Sequence, residues 1–204
     1  MAVKTLVLDF DGVVVESNDI KHRAMAELFK GYPEKLDEIM AYHLSHNAVN
    51  RHEKFRYIME KIMGRKYDQD LAKKWAEEFS RLTREAIINC PFVAGAKEFI
   101  NYFGSRYPLY LASATPQDEL FLILEGRGLN GTFTGVYGAP QPKMEIFKDI
   151  IAKEGLKSAE MLFIGDSPED EQVARKFGCG FIALSASSGY QDMNKVKEHL
   201  LSLA

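Results

Sequence analysis

The chain opens on a short, nearly unbroken apolar run, VKTLVLDF at residues 3–10, which ends against two aspartates and a glycine. A run of that length closed by polar residues and Gly predicts a strand buried on both faces. Between about residues 17 and 90 the pattern changes. Ile20, Ala24, Leu28 and Phe29 recur at helical spacing, as do Leu36, Ile39, Met40 and Leu44. Phe55, Ile58, Met59 and Ile62 follow, then Leu71, Trp75, Phe79, Leu82 and Ala86. Four such stripes with no strand pattern among them predict a small bundle of four helices. Pro91 and Gly95 then punctuate the chain, and helix and strand begin to alternate. Helices are predicted over 95–105, 116–126, 143–154, 168–177 and 192–203, and strands over 108–113, 133–137, 161–166 and 180–184. This alternation argues for right-handed crossovers and a mostly parallel sheet. The strand at 3–10 must join that sheet, since alone it leaves two apolar faces uncovered. Residues 1–16 and 91–204 thus form an α/β unit, with residues 17–90 inserted as an all-helical one.

Composition narrows the class without changing the fold. Of 204 residues, 46% are hydrophobic and 27% charged, as in a soluble globular protein long enough to bury a sizeable core. The net charge of -3 supplies no global basic field, so neither nucleic acid nor an anionic membrane is an expected partner. Cys90 and Cys179 lie far apart and form no C-x-x-C pair, which argues against a zinc or disulfide framework. The N-terminal run breaks at Asp9 and lacks a signal-peptide pattern, and no stretch approaches the roughly 18 apolar residues of a membrane span. A cytoplasmic location is expected. Nothing in the sequence specifies an oligomer.

In open parallel sheets, ligands sit outside the carboxyl ends of the strands. Reading only those ends collects Asp9 and Asp11 from the first strand and Ser113 from the second. Lys143 follows the third through GAPQPK, and Asp166 and Asp170 come from GDSPED after the fourth. Clustered carboxylates call for a hard divalent cation with oxygen ligands, foremost Mg²⁺, which commonly bridges to a substrate phosphate. A lysine and a hydroxyl suit a phosphoryl group. A carboxylate can take that group covalently, and a second one two residues on can carry the proton. Cation and phosphate together would let the like-charged Asp9 and Asp11 coexist.

DFDGVVVES, Ser113, Lys143 and GDSPED stand in the order and spacing of the four motifs of the haloacid dehalogenase-like hydrolase superfamily. The chain resembles that superfamily over essentially its whole length, most closely its phosphoglycolate phosphatase and β-phosphoglucomutase branch. The resemblance implies a Rossmann-like core with a helical cap of the first type. It also implies that Asp9 attacks phosphorus and that Asp11 protonates the leaving oxygen and later activates water. Asp9, the backbone carbonyl of Asp11, and Asp166 would hold Mg²⁺, with Asp170 orienting that shell or joining it. Ser113 and the Ala114 N–H would bind phosphoryl oxygens, and Lys143 would neutralise charge. Dehalogenases and phosphonate-cleaving relatives lack the second aspartate, so Asp11 favours phosphate esters.

Several of these residues have a plainer explanation. An EF-hand calcium loop does not fit, because Val13, Val14 and Val15 follow Asp11 where polar ligands are needed. In GDSPED, Asp166 or Ser167 can cap a helix that has Pro168 at its first position, and this is compatible with a metal role. Thr115 reads as an N-cap before Pro116 and is left outside the site. In HNAVNRHEKF, Arg51 and Lys54 are candidates to meet the rest of the substrate, against the alternative of a solvated helix start capped by Asn50. No histidine pairs with a second metal ligand, and His22 reads as a residue of the first inserted helix. The expected function is a Mg²⁺-dependent phosphatase for a small phosphorylated metabolite. The alternatives are a phosphomutase or a non-catalytic phospho-ligand-binding protein.

Overall fold

The structure is a computed structural model and describes residues 3–46, 49–185 and 187–202. Its strands are β1 (Thr5–Leu8), β2 (Leu109–Pro116), β3 (Gly135–Ala139), β4 (Met161–Gly165) and β5 (Gly180–Ala183). Among the described residues they form one five-stranded sheet in the order β3-β2-β1-β4-β5, with every neighbouring pair parallel. The chain moves from β1 outward to β3 on one side, then returns to β4 and β5 on the other. The order therefore reverses beside β1, where such sheets open a crevice for ligands.

Alternate residues of each strand face opposite sides, as the strand period requires. Leu6, Leu8, Leu109, Leu111, Leu162 and Ile164 pack against α5 (Ala96–Gly104), α6 (Gln117–Gly126) and α9 (Met193–Ser202). Val7, Tyr110, Ala112 and Phe163 face α7 (Lys143–Glu154) and α8 (Pro168–Phe177). Burial on both faces explains why the central strands read as continuous apolar runs.

The stretch between β1 and α5 is helical, as its stripes predict. It holds α1 (Asn18–Phe29), α2 (Pro33–Ser45), α3 (Arg51–Tyr57) with a π-helical turn at Ile58–Ile62, and α4 (Gln69–Asn89). These helices bury a core of their own, with Phe29, Phe55, Trp75 and Phe79 in edge-to-face contacts such as Phe29–Trp75 at 4.7 Å. The chain enters and leaves this layer through two adjacent segments. Val15 bridges Phe92, and the Glu16 N–H donates to the Pro91 carbonyl at 3.0 Å. Arg127 gathers the open end of α4, its Nη1 donating to the carbonyls of Ile87, Ile88 and Cys90.

Most predicted elements fall within a few residues of the observed ones, and one difference matters. β2 runs on past Ser113 to Pro116, pairing with β3 through a register shift between Ala112 and Pro116. Thr115 is consequently a strand residue. It does not cap α6, whose N-cap is Pro116 with no side-chain bond. The local preference of Thr before Pro for capping gives way to pairing with the neighbouring strand.

Candidate active site

The first strand delivers Asp9 to the crevice, and its backbone N–H is fixed by the Ile164 carbonyl of β4 at 2.9 Å. The chain then turns sharply at Gly12, whose φ of +74° favours glycine. A Cβ there would lie 2.1 Å from Asp166 Oδ2. β4 ends at Gly165, where a Cβ would fall 2.6 Å from the Cβ of Asp170. Ser167 caps α8 by accepting from the Asp170 N–H at 3.1 Å, with Pro168 at the helix start. Those small residues and that cap bring the carboxylates of Asp9, Asp166 and Asp170 within 4.8 Å of one another.

Lys143 is the first residue of α7 and reaches into this group. Its ammonium lies 3.2 Å from Asp9 Oδ2 and 2.5 Å from Asp170 Oδ1. Burial raises the Asp9 carboxyl well above the usual range, opposed by Lys143 and reinforced by Asp170 and Asp166. Burial likewise pushes Asp166 up to about 6, although the Asn18 amide donates to it at 2.7 Å. Burial pulls Lys143 down, but Asp170 and Asp9 outweigh it and hold the ammonium above the usual lysine range. One lysine cannot balance three carboxylates, two of them buried and one half-buried. Asp170 Oδ2 is buried with no hydrogen-bond partner among the described residues. An acidic, oxygen-only donor set with an orphaned buried oxygen fits a hard divalent cation such as Mg²⁺.

Asp11 sits apart from that trio by its side chain. Ser17 donates to Oδ1 at 2.5 Å, Lys21 pairs with Oδ2, and the Thr115 hydroxyl donates to Oδ2 at 3.2 Å. Burial pushes this carboxyl up, but the Lys21 charge and these three donors outweigh it and hold it below the usual range. Ser113 is buried on β2, its hydroxyl accepting from the Thr115 N–H at 3.0 Å. Ser113 and Ala114 share a hollow with Lys143 and Asp170, and Ala114 also lines a cleft of about 50 Å³ next to Asp11.

Arg51 and Lys54 line that cleft from the helical layer. Asn50 caps α3 as the alternative reading expects, yet both cations are buried. Lys54 Nζ lies 3.2 Å from His43 Nδ1, and burial, aided by Lys21, brings its pKa down to about 7. Burial and Lys54 hold His43 down to about 2, a neutral ring. Arg51 is turned to Glu119 of α6 at 2.9 Å and to Ser80.

Sequence reading missed Lys21, Thr115, Ser17 and Asn18. A signal was present for the first: Ser17 and Lys21 are four residues apart at the start of a helix that follows the DFDG turn, hence on one face above the strand ends.

Residues 3–178 match the haloacid dehalogenase-like hydrolase family. The chain belongs to that family. It is an enzyme of the hydrolase class, as the four motifs lead one to expect. It is 24% identical over 193 residues to a phosphoglycolate phosphatase of Aliivibrio fischeri, covering 90% of this chain and 84% of that protein. Its fold is shared with a HAD hydrolase from Bacillus subtilis bound to magnesium, at a TM-score of 0.72, 15% identity and coverage of 98% and 100%. It is shared equally with a β-phosphoglucomutase from Clostridium difficile, at 0.73, 16%, 98% and 99%. Among the described residues, no helix is long and apolar enough to cross a membrane.

Proposed function

We propose that this HAD-family protein is a Mg²⁺-dependent phosphatase that hydrolyses a small phosphomonoester through an aspartyl phosphate on Asp9. The observation that carries the reading is the convergence of Asp9, Lys143, Asp166 and Asp170 on one crevice, with Asp11 and Ser113 at its edge. Asp9, the backbone carbonyl of Asp11, Asp166 and Asp170 would hold Mg²⁺, which when bound supplies positive charge that screens phosphate from the carboxylates. Asp9 attacks phosphorus, and Lys143, Ser113 and the Ala114 N–H take up charge on the phosphoryl oxygens. The proton on the leaving oxygen comes from Asp11, which then serves as base toward water in breaking the aspartyl phosphate. Lys21, Ser17 and Thr115 hold Asp11 in place and favour its ionised form, which suits the second step; the proton that it takes there from water is the one that it passes to the leaving oxygen in the next turnover.

The inserted helices act as a cap, and Lys54 and Arg51 border the space for the leaving group. Release of inorganic phosphate from a panel of small organic phosphates tests the reading. Wild type is expected to turn over at least one ester in Mg²⁺ and to lose activity in EDTA. Asp9→Asn is expected to abolish turnover while keeping the wild-type circular dichroism. Activity that survives Asp9→Asn would overturn the assignment of the nucleophile.

A further inference from the structure

Two hollows meet back to back at the junction of cap and core. The inner cleft, of about 50 Å³, borders Asp11. The outer groove, of about 400 Å³, is open to solvent between α4 and α6. Arg51 lines both. Elsewhere along the boundary, chain neighbours divide between the two: Phe79 faces inward and Ser80 outward, Thr115 inward and Pro116 outward. The partition is therefore about one residue thick, and Arg51 fills it.

Arg51 is held there by a buried cluster. Its Nη1 lies 2.9 Å from Glu119 Oε2 and 2.5 Å from the Ser80 hydroxyl, which itself donates to Glu119 Oε2 at 2.7 Å. The guanidinium stands 4.9 Å from the centre of the Phe79 ring, and the side chains of Arg51 and Glu119 are each 7% exposed. Glu119 Oε1 is buried with no hydrogen-bond partner among the described residues. A buried ion pair is a weak source of net stability compared with apolar packing, and an orphaned carboxylate oxygen weakens it further. Stability alone does not account for Glu119.

Its effect on ligands does. A guanidinium is the side chain best shaped to grip a phosphate or carboxylate in two-point fashion. Glu119 takes up that grip from the side of the outer groove, and its Oε2 lies 2.9 Å from the guanidinium that a distal phosphate of the substrate would seek. An inner cleft of this volume has room for only a few heavy atoms. We propose that Glu119 is a specificity-determining residue: by holding Arg51 in the partition, it limits the enzyme to short leaving groups and rejects those that carry a second phosphate. The inference deepens the phosphatase reading and rests on it. It also separates this chain from a mutase, which must accommodate two phosphates.

The test uses Glu119→Gln, which keeps the size of the side chain and its hydrogen bonds and removes the charge. Glycerol 3-phosphate, fructose 6-phosphate and fructose 1,6-bisphosphate are compared by equilibrium binding to Asp9→Asn protein in Mg²⁺, with and without Glu119→Gln. Turnover is compared in the proteins with Asp9 intact. In Glu119→Gln the preference for the bisphosphate over fructose 6-phosphate is expected to rise about tenfold or more, the factor that 1.4 kcal/mol carries. The double variant Arg51→Met with Glu119→Gln removes both charges of this pair, so neither is left unpaired to compromise folding. It is expected to lose that gain while binding fructose 6-phosphate better relative to glycerol 3-phosphate. Unchanged ligand ratios in both variants would overturn the proposal, including the case in which neither fructose phosphate binds. A wild type that hydrolyses none of the esters, alongside variants whose binding ratios shift as expected, would instead sink the phosphatase reading and leave the role of Glu119 standing.

Discussion

Replacing Lys143 by alanine tests the electrostatic balance of the site most directly. The Lys143 ammonium lies 3.2 Å from Asp9 and 2.5 Å from Asp170, and the three side chains are 9%, 8% and 0% exposed. Its removal leaves carboxylates within 4.8 Å of one another with no ammonium between them. Breaking a buried pair by deleting one partner costs about 3–5 kcal/mol, because the remaining charge is desolvated and unpaired. The two pairs share one ammonium, so their losses do not add. For a chain of this size the unfolding midpoint in EDTA is expected to fall by about 6–20 °C. Far-UV circular dichroism is the appropriate probe, because the single tryptophan, Trp75, lies in the core of the inserted helices and does not report on the sheet. Adding Asp170→Asn to the alanine variant removes one repelling charge and should restore about 1–3 kcal/mol. Mg²⁺ should raise the midpoint of the alanine variant more than that of wild type, because the cation then meets an uncompensated cluster. Turnover should drop about 10²- to 10³-fold with loss of the charge that stabilises the phosphoryl group. A loss of stability below about 1 kcal/mol, with no relief from Asp170→Asn, would refute the claim that Lys143 balances the cluster.

Other perturbations probe the remaining parts. Lys21→Ala releases Asp11 from the charge that lowers it, so the acid limb of the pH–rate profile should move to higher pH and kcat should fall about tenfold. An unmoved limb would remove Asp11 from the role of base. Gly12→Ala forces a Cβ to within 2.1 Å of Asp166 Oδ2 at a φ of +74°; Mg²⁺ titrations of activity should shift to higher concentration, and stability should fall by about 1–2 kcal/mol. Lys54 is brought down to about 7 from 10.5. Between these values the unfolded chain holds a proton that the folded chain does not, so stability rises with pH across that window. Lys54→Met should therefore stabilise the protein near pH 6 by about 1–3 kcal/mol, and urea titrations toward pH 10 should show the gain shrinking. A gain independent of pH would mean that packing and not charge explains it.

Much of the architecture is written in short-range pattern. The apolar runs at 3–10 and 161–166 are strands because central parallel strands bury both faces, and burial on both faces erases alternation. The stripes through Ile20, Phe55 and Trp75 are helical because three- and four-residue spacing puts them on one side. Asp9, Asp11, Asp166 and Asp170 stand out by the same logic, as acids at the ends of runs that the sheet must bury. Lys143 was legible as the lysine that opens the helix after β3. Each of these inferences needs only neighbours along the chain.

The pairings that tune the site needed the folded molecule. Thr115 carries the local signature of a helix cap, and only the extension of β2 beside β3 turns its hydroxyl to Asp11, 104 positions away in sequence. Lys21 is one more charge on an amphipathic helix until that helix comes to rest at the strand ends and sets its ammonium between Asp11 and Thr115. Arg51 reads as a substrate ligand from its loop, yet Glu119 on a distant helix claims it. The sequence by itself determined which elements form and which acids share the rim, because period and burial act over a few residues. Tertiary structure decided which charges neutralise one another, because Coulomb and hydrogen-bond partners depend on distance through space, and packing of the inserted helices beside the sheet sets that distance.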